Sequence, residues 1–326
     1  MCGITGFVNL NLKPVRDTSS ILSMLKMQKH RGPDDSGIRA FSLRSGKSSE
    51  YATDSPQEIS EELNGVLGFN RLSILDLSIN GHQPFISPDN KVLLTLNGEI
   101  YNAFDIKPEL EKDGYLFKST TDTEVVMALY LKLGFEKMIS RLNGMFAIVI
   151  VDLKIGTIYI ARDRFGIKPM YYIANEEIFA FSSEMKSFHC LDQFSFKLNS
   201  EKLHEFMLFR SNLNGTLFQE IRSLPPGHYI SLDQDNRLGI KCYFNIDEYQ
   251  RNNSRNLDIN YHIDKMEDLL SRSVKSQLMS DVKLGCQLSG GIDSSIVTWF
   301  ANKAAEKGQF ESVSIIFDDH RYNEEP

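Results

Sequence analysis

Residues 1–7 read MCGITGF, a cysteine directly behind the initiator methionine and a glycine directly behind the cysteine. A small second residue lets the methionine be removed, which would leave Cys2 carrying a thiol and a free α-amine on one residue. Such a pair can serve as nucleophile and base. Taken alone, the same stretch also reads as the plain start of a first strand, CGITGFVN, and the rest of the chain has to decide between the two.

Composition sets the frame. The chain has 326 residues, 41% hydrophobic and 24% charged, which fits an ordinary globular protein long enough for two domains. A formal net charge of −7, with no stretch gathering Lys and Arg, excludes a nucleic-acid surface and points to small-molecule partners. The cysteines Cys2, Cys190, Cys242 and Cys286 are far apart, without metal-ligand spacing or the density of a disulfide scaffold, so a reducing cytoplasm is expected. No apolar run approaches the ~20 residues of a membrane span, and no membrane partner is expected.

Outward from the first strand, VLGFNRLSIL and VLLTLNGEIYN carry further β-branched and aromatic runs bounded by Gly, Asn or Asp. A helix is expected over VVMALYLKLG, opened by a capping box of Thr121 and Glu124. Hairpins follow around LKIG and NEE, and long antiparallel runs with few helices predict a layered α+β domain. The polar stretch from Phe41 to Glu62 reads as a surface insertion. Residues 246–260 read as a linker. Beyond it Ile263, Met266, Leu269, Leu270, Val274 and Leu278 form one helical stripe expected to be buried, and LGCQL, SGGIDSS, SIVTWFANKAAEK and SVSIIF make a βαβ unit.

The loop of that unit, residues 289–295 SGGIDSS, stands between an apolar strand and a helix, where unpaired N–H groups and the helix dipole favour an anion. Its two glycines let the backbone curl close to a ligand, and Ser289, Ser294 and Ser295 add hydroxyl donors. It lacks the lysine of a P-loop and the spacing of a dinucleotide fingerprint. The loop resembles the PP-loop of N-type ATP pyrophosphatases, which adenylate a substrate and release pyrophosphate.

In the front half, MCGITGF, RGPDDSG at residues 31–37, NRLSILDLSINGHQPF, LNGEIYN, STTDTE and ARDRFGIKPMYY together resemble the class II glutamine amidotransferase domain. Followed by SGGIDSS, they make the chain similar to the glutamine-hydrolysing asparagine synthetases over nearly its whole length. The resemblance implies a four-layer αββα N-terminal-nucleophile domain over residues 2–215, closing strands and a linker over 216–260, and the start of an α/β PP-loop domain over 261–326. It implies Cys2 as the nucleophile, with its own amine as base, and the Asn97 side chain and Gly98 N–H as the oxyanion hole. Taken alone, Asn97 and Gly98 would also suit a tight hairpin turn. Arg71 is implied for the α-carboxylate of glutamine and Asp122 for its α-ammonium. Glu99 would line the amine side, and Leu72, Ser73, Ile74 and Leu75 would supply backbone around the ligand. Arg31 and Asp34 are expected to brace a loop beside Cys2 rather than react.

For the second half the resemblance implies ATP at Leu288, Ser289, Gly290, Gly291, Asp293, Ser294, Ser295 and Ile315. Asp293 would either touch Mg2+ or hold the loop, and no tightly bound organic cofactor is implied. The substrates would be glutamine, aspartate and ATP, in the cytoplasm, with a homodimer among the assemblies left open. Residues 261–326 hold one βαβ unit, so the sequence is expected to be the front of a longer enzyme, able to release ammonia but not to make asparagine. Two other readings stand beside this one: amination of a different carboxylate, such as a uronic acid, and a non-catalytic fragment.

Overall fold

Alternation along the first strand sets the layering. In β1 (Gly3–Asn9) Ile4 and Val8 enter one apolar core and Phe7 enters another, so its sheet is covered on both faces. The computed structural model describes residues 1–212, 215–249, 258–305 and 310–315, in two units, Met1–Ile246 and Asp247–Pro326.

In chain order the first unit continues with α1 (Ser19–Met27), β2 (Asp35–Ser42), β3 (Lys47–Tyr51), β4 (Gly65–Arg71), β5 (Phe85–Ile86) and β6 (Val92–Ile100). Then come α2 (Ala103–Lys112), α3 (Asp122–Leu133), α4 (Phe135–Arg141), β7 (Gly144–Asp152) and β8 (Thr157–Arg162). It ends with β9 (Tyr171–Ala174), β10 (Ile178–Ser182), α5 (Ser200–Phe209), β11 (Arg222–Ser223), β12 (His228–Asp233) and β13 (Leu238–Cys242). One sheet runs β11-β9-β10-β1-β4-β2-β3 and the other β13-β12-β8-β7-β6-β5. Pairing within both is antiparallel.

Between the sheets lies a core of Ile4, Phe69, Leu93, Val149, Ile160 and Phe181 with their neighbours. A second core packs α2, α3 and α4 on the outer face of the β6–β7–β8 sheet, and a third packs α1 on the outer face of the β1 sheet. The order helix, sheet, sheet, helix is the αββα arrangement. Each fully buried Leu, Ile or Phe in these layers contributes ~1.5–3 kcal/mol over an exposed one.

Several local expectations are corrected. The stretch taken for an insertion contains β3, which pairs along β2 as the sheet's edge. Its polar alternation is what an edge strand with one wet face shows. The strand expected through Leu75 stops at Arg71, because the Arg71 guanidinium reaches round to the carbonyls of Leu75 (2.9 Å) and Ser78 (3.1 Å) and curls the segment. Asn97 and Gly98 form no turn; they sit inside β6, opposite Ala147 and Phe146. Only half of the capping box forms. Thr121 Oγ1 accepts the Glu124 N–H at 3.2 Å, whereas the Glu124 carboxylate turns back to the N–H groups of Lys118 and Ser119.

The second unit holds α6 (Ile259–Ser276), β14 (Leu284–Gln287), α7 (Ile292–Ala304) and β15 (Phe310–Val313), with β14 and β15 parallel as a βαβ unit requires. The strand expected over SVSIIF is shifted: β15 begins at Phe310 and Ile315 lies beyond its end, while residues 316–317 are outside the described residues. Most of the expected linker, residues 250–257, is likewise outside them. The stripe of α6 is not buried: Ile263, Met266 and Leu269 are exposed, since a two-stranded sheet and one helix cannot cover it. Among the described residues no helix is long and apolar enough to cross a membrane.

Candidate active site

Period-two alternation brings residues from both sheets to one end of the layer between them. Cys2 precedes Ile4 and Val8 on the inward face of β1, and Arg71 follows Leu67 and Phe69 on the inward face of β4. On β6, Leu93 faces the same layer while Leu94 and Leu96 face the helices, which places Asn97 and Glu99 inward with Leu93. Cys2, Arg71, Asn97 and Glu99 thus converge although they are spread over almost a hundred residues of sequence.

The Cys2 Sγ accepts the Leu72 N–H at 3.4 Å. Burial pushes the thiol up from its ordinary value, against the pull of that backbone contact. Forming the thiolate therefore calls for a base at the site. Arg31 Nε donates to the Cys2 carbonyl at 2.9 Å, and Asp34 Oδ2 accepts the Ser73 N–H at 2.7 Å. Asp35 pairs with His82 Nδ1 at 2.7 Å. The RGPDD segment thereby fastens Cys2 and both ends of the loop from Leu72 to His82.

Asn97 is 1% exposed, and neither its Oδ1 nor its Nδ2 has a hydrogen-bond partner among the described residues. Leaving both ends of a buried amide unpaired costs ~1–3 kcal/mol per group, so such a side chain marks a place where a polar ligand belongs. Next to it, Gly98 has φ +150°, and an added Cβ would fall 1.9 Å from the Met145 carbonyl oxygen, so only glycine fits. The N–H groups of Leu96 and Ile100 point away from β7, to Gln83 Oε1 and Asp122 Oδ2, each at 2.8 Å. The Gly98 N–H points the same way between them, where no strand pairs with it among the described residues.

Asp122 opens α3 at 4% exposure. Burial raises its carboxyl, and burial together with the Asp122 charge raises Glu99, whose Oε2 is buried without a partner among the described residues. Two buried carboxyls side by side, one of them with an unpartnered oxygen, are an environment for a cation such as an ammonium group. Leu72, Ser73 and Ile74 are half-buried and Leu75 buried, in the loop that Arg71 closes. Both terminal nitrogens of Arg71 are bonded to that loop's carbonyls, an arrangement the residue's charge alone did not announce. Sequence reasoning also gave no role to Gln83, which bonds Leu96 N and Thr123 Oγ1, or to Lys168. Lys168 had a visible signal, a lone cation in the apolar run FGIKPMYY.

In the second unit the loop joins β14 to α7 as expected. Gly290 takes φ +88° and Gly291 caps α7. Ser289 Oγ lies 3.0 Å from Ser294 Oγ, and the Ser294 and Ser295 hydroxyls donate to the Gly291 carbonyl at 3.0 and 2.9 Å. Leu288 N donates to Val313 O at 2.9 Å. Asp293 is exposed in the first turn of α7, and Ile315 is exposed just past β15. No group of three metal-binding side chains occurs among the described residues.

Residues 50–244 match a family model described as glutamine amidotransferase domain, and residues 265–326 one described as asparagine synthase. Asparagine synthetase (glutamine-hydrolyzing) 2 of Bacillus subtilis (strain 168) is 34% identical over 339 residues, which cover 100% of this chain and 41% of that protein. Putative asparagine synthetase (glutamine-hydrolyzing) 2 of Methanocaldococcus jannaschii is 32% identical over 344 residues, covering 100% of this chain and 61% of that protein. The chain therefore spans about half the length of these relatives. Among solved structures, glutamine phosphoribosylpyrophosphate amidotransferase from B. subtilis superposes with a TM-score of 0.55 at 16% identity, over 96% of this chain and 65% of that one, a likeness of fold. With the amidotransferase model matched across most of the first unit and more than half of the sequence, the chain belongs to the glutamine amidotransferase domain family.

Proposed function

We propose that the protein hydrolyses glutamine at Cys2 and is a glutamine-dependent asparagine synthetase in the cytoplasm. The observation that carries the first half is Asn97: a buried amide with both ends unpartnered, beside the Gly98 N–H and on the same layer as Cys2. After removal of Met1, the Cys2 amine takes the thiol proton and Sγ attacks the glutamine amide carbon. The resulting oxyanion accepts hydrogen bonds from Asn97 Nδ2 and Gly98 N–H, an arrangement in which one donor is worth ~3 kcal/mol. As the intermediate collapses, the Cys2 ammonium returns the proton to the leaving nitrogen, which departs as ammonia and leaves a thioester on Cys2 that water hydrolyses to glutamate. Asp122 and Glu99 face the α-ammonium of the substrate. Arg71 shapes the loop of Leu72, Ser73, Ile74 and Leu75 over the ligand and offers its α-carboxylate the Nη1 hydrogen that the loop carbonyls do not take.

The family resemblance supplies the second half. ATP activates aspartate as an acyl adenylate with release of pyrophosphate, and attack of ammonia on that adenylate gives asparagine and expels AMP. Leu288, Ser289, Gly290, Gly291, Ser294, Ser295 and Ile315 would surround the nucleotide at the head of α7. Mg2+ usually binds through one or two carboxylates plus phosphate oxygens, and the exposed Asp293 offers one such carboxylate. Residues 2–215 would then be the glutamine-hydrolysing part, 216–260 its closing strands and linker, and 261 onward the start of the synthetase part.

An electrophilic glutamine analogue tests the site, and it should label Cys2 and spare Cys190, Cys242 and Cys286. Labelling of any of those three with Cys2 untouched would sink the reading. Asparagine formation is followed separately, as AMP and pyrophosphate released from ATP, aspartate, glutamine and Mg2+.

A further inference from the structure

Lys168 takes no part in the chemistry above, yet it is the buried lysine of the described residues, 6% exposed. Its position is built rather than incidental. Asp163, 1% exposed, accepts the N–H groups of Phe165 and Ile167, each at 3.0 Å, and of Lys168 at 2.9 Å. The same carboxylate accepts the N–H of Phe146, the residue opposite Gly98, at 3.3 Å. From the other side Arg162 donates to the carbonyls of Lys168 (2.8 Å), Gly166 (2.6 Å) and Leu224 (2.8 Å). A buried carboxylate and a half-buried guanidinium thus hold the loop of residues 163–168 and tie it to the strand that faces the oxyanion pair.

A lysine on so fixed a loop cannot swing its ammonium out to water, the usual refuge of a half-buried lysine. Its Nζ donates no hydrogen bond among the described residues. The charges around it come from every neighbouring element: Glu99 on β6, Cys2 at the head of β1, Arg31 after α1, Asp163 in its own loop, and the terminal amine of the chain. Arg31 is already held by Glu184 and the Cys2 carbonyl. A buried cation with no hydrogen-bond partner is costly unless anions stand near it, and the groups here that become anions are Glu99, as pH rises through about 8, and Cys2 once deprotonated.

The geometry points to Lys168 as a positioning residue of the glutamine site, its ammonium stabilising negative charge on Cys2 Sγ and on Glu99. This inference rests on the reading of Cys2 as the nucleophile. It adds a second fixed cation to a site where the Arg71 guanidinium already acts on the Cys2 thiol.

Alkylation of Cys2 by iodoacetamide as a function of pH, followed by peptide mass spectrometry, tests it on the full chain with the other three cysteines as internal controls. Lys168→Gln should raise the pH midpoint for Cys2 by about one unit, the size of effect a close opposite charge exerts. Lys168→Arg should keep the midpoint within a few tenths of a unit. An unchanged midpoint in Lys168→Gln would overturn the inference, as would a Lys168→Arg variant displaced as far as Lys168→Gln. Should Lys168→Gln fail to fold, Lys168→Met takes its place, with the same raised midpoint expected and an unchanged one overturning the inference. Because alkylation needs no turnover, expected midpoints in a protein that releases no glutamate would reject the hydrolase reading and retain the role of Lys168.

Discussion

Arg31 Nε donates to the Cys2 carbonyl oxygen at 2.9 Å while its Nη1 lies 3.2 Å from Glu184 Oε1. One guanidinium therefore pins the peptide of the nucleophile to the chain that follows β10. Arg31→Ala should lower kcat for glutamate release roughly ten- to a hundredfold, ~1.4–2.7 kcal/mol of barrier, with a smaller change in KM. Steady-state kinetics checks the split, and a change confined to KM contradicts the positioning role.

Asn97→Ala should separate activity from stability. Turnover should fall about 10²–10³-fold, because the oxyanion exists only near the transition state, while glutamine affinity changes little. The melting temperature should rise by ~2–4 °C, since the change removes a buried amide with no partners in the free protein. Lower stability together with unchanged turnover would contradict the assignment.

For Arg71→Lys the expectation is a loosened loop despite the retained charge. A lysine cannot replace the bonds that the two terminal nitrogens of Arg71 make to the carbonyls of Leu75, Asp76 and Ser78. The KM for glutamine should rise about tenfold or more, and limited proteolysis should cut within residues 72–81 sooner than in the parent. Equal KM and equal cleavage rates would show that the guanidinium does not hold this segment.

Glu99 provides a pH test. Burial first, then the Asp122 charge, push its carboxyl from 4.5 up to about 8. A group whose folded value lies above its unfolded one stabilises the fold below the unfolded value, and that contribution is lost as pH rises through the folded value. The first unit should therefore lose stability between pH 4.5 and about 8. Glu99→Gln should flatten that fall, raising the melting temperature at pH 8.5 by several degrees more than at pH 5. Parallel losses in both proteins would place the titration elsewhere.

Much of the fold was legible because alternation is a local signal. The strands themselves can be read from CGITGFVN, GVLGFNR and VLLTLNGEI, but both faces of each are buried, and Cys2, Arg71 and Asn97 were named through the family resemblance rather than through alternation. Asn97 and Gly98 show where a local signal misleads: the pair favours a turn in isolation, and the strand passes through it only because β7 pairs along its whole length. The bond from Gln83 to Leu96 and the double fastening of the Lys168 loop by Arg162 and Asp163 join residues whose partners are set by the packing of two sheets. The stripe of α6 was misread for the opposite reason. Periodicity reports which face is apolar, but covering that face takes elements beyond those of the second unit.

The first strand to be synthesised is not the first to be completed. β1 lies between β4 and β10, with Thr5 opposite Gly68 on one side and Ser182 on the other. While translation proceeds from residue 68 to residue 182, one edge of β1 stays bare, an interval on the order of 10 s at ~5–20 residues per second. Glu184, the partner of Arg31, emerges only after that strand. Folding does not cover the head of the strand itself, since Met1 stays 55% exposed in the folded chain. The order in which strands leave the ribosome sets how long the residue at the head of β1 waits for its second neighbour.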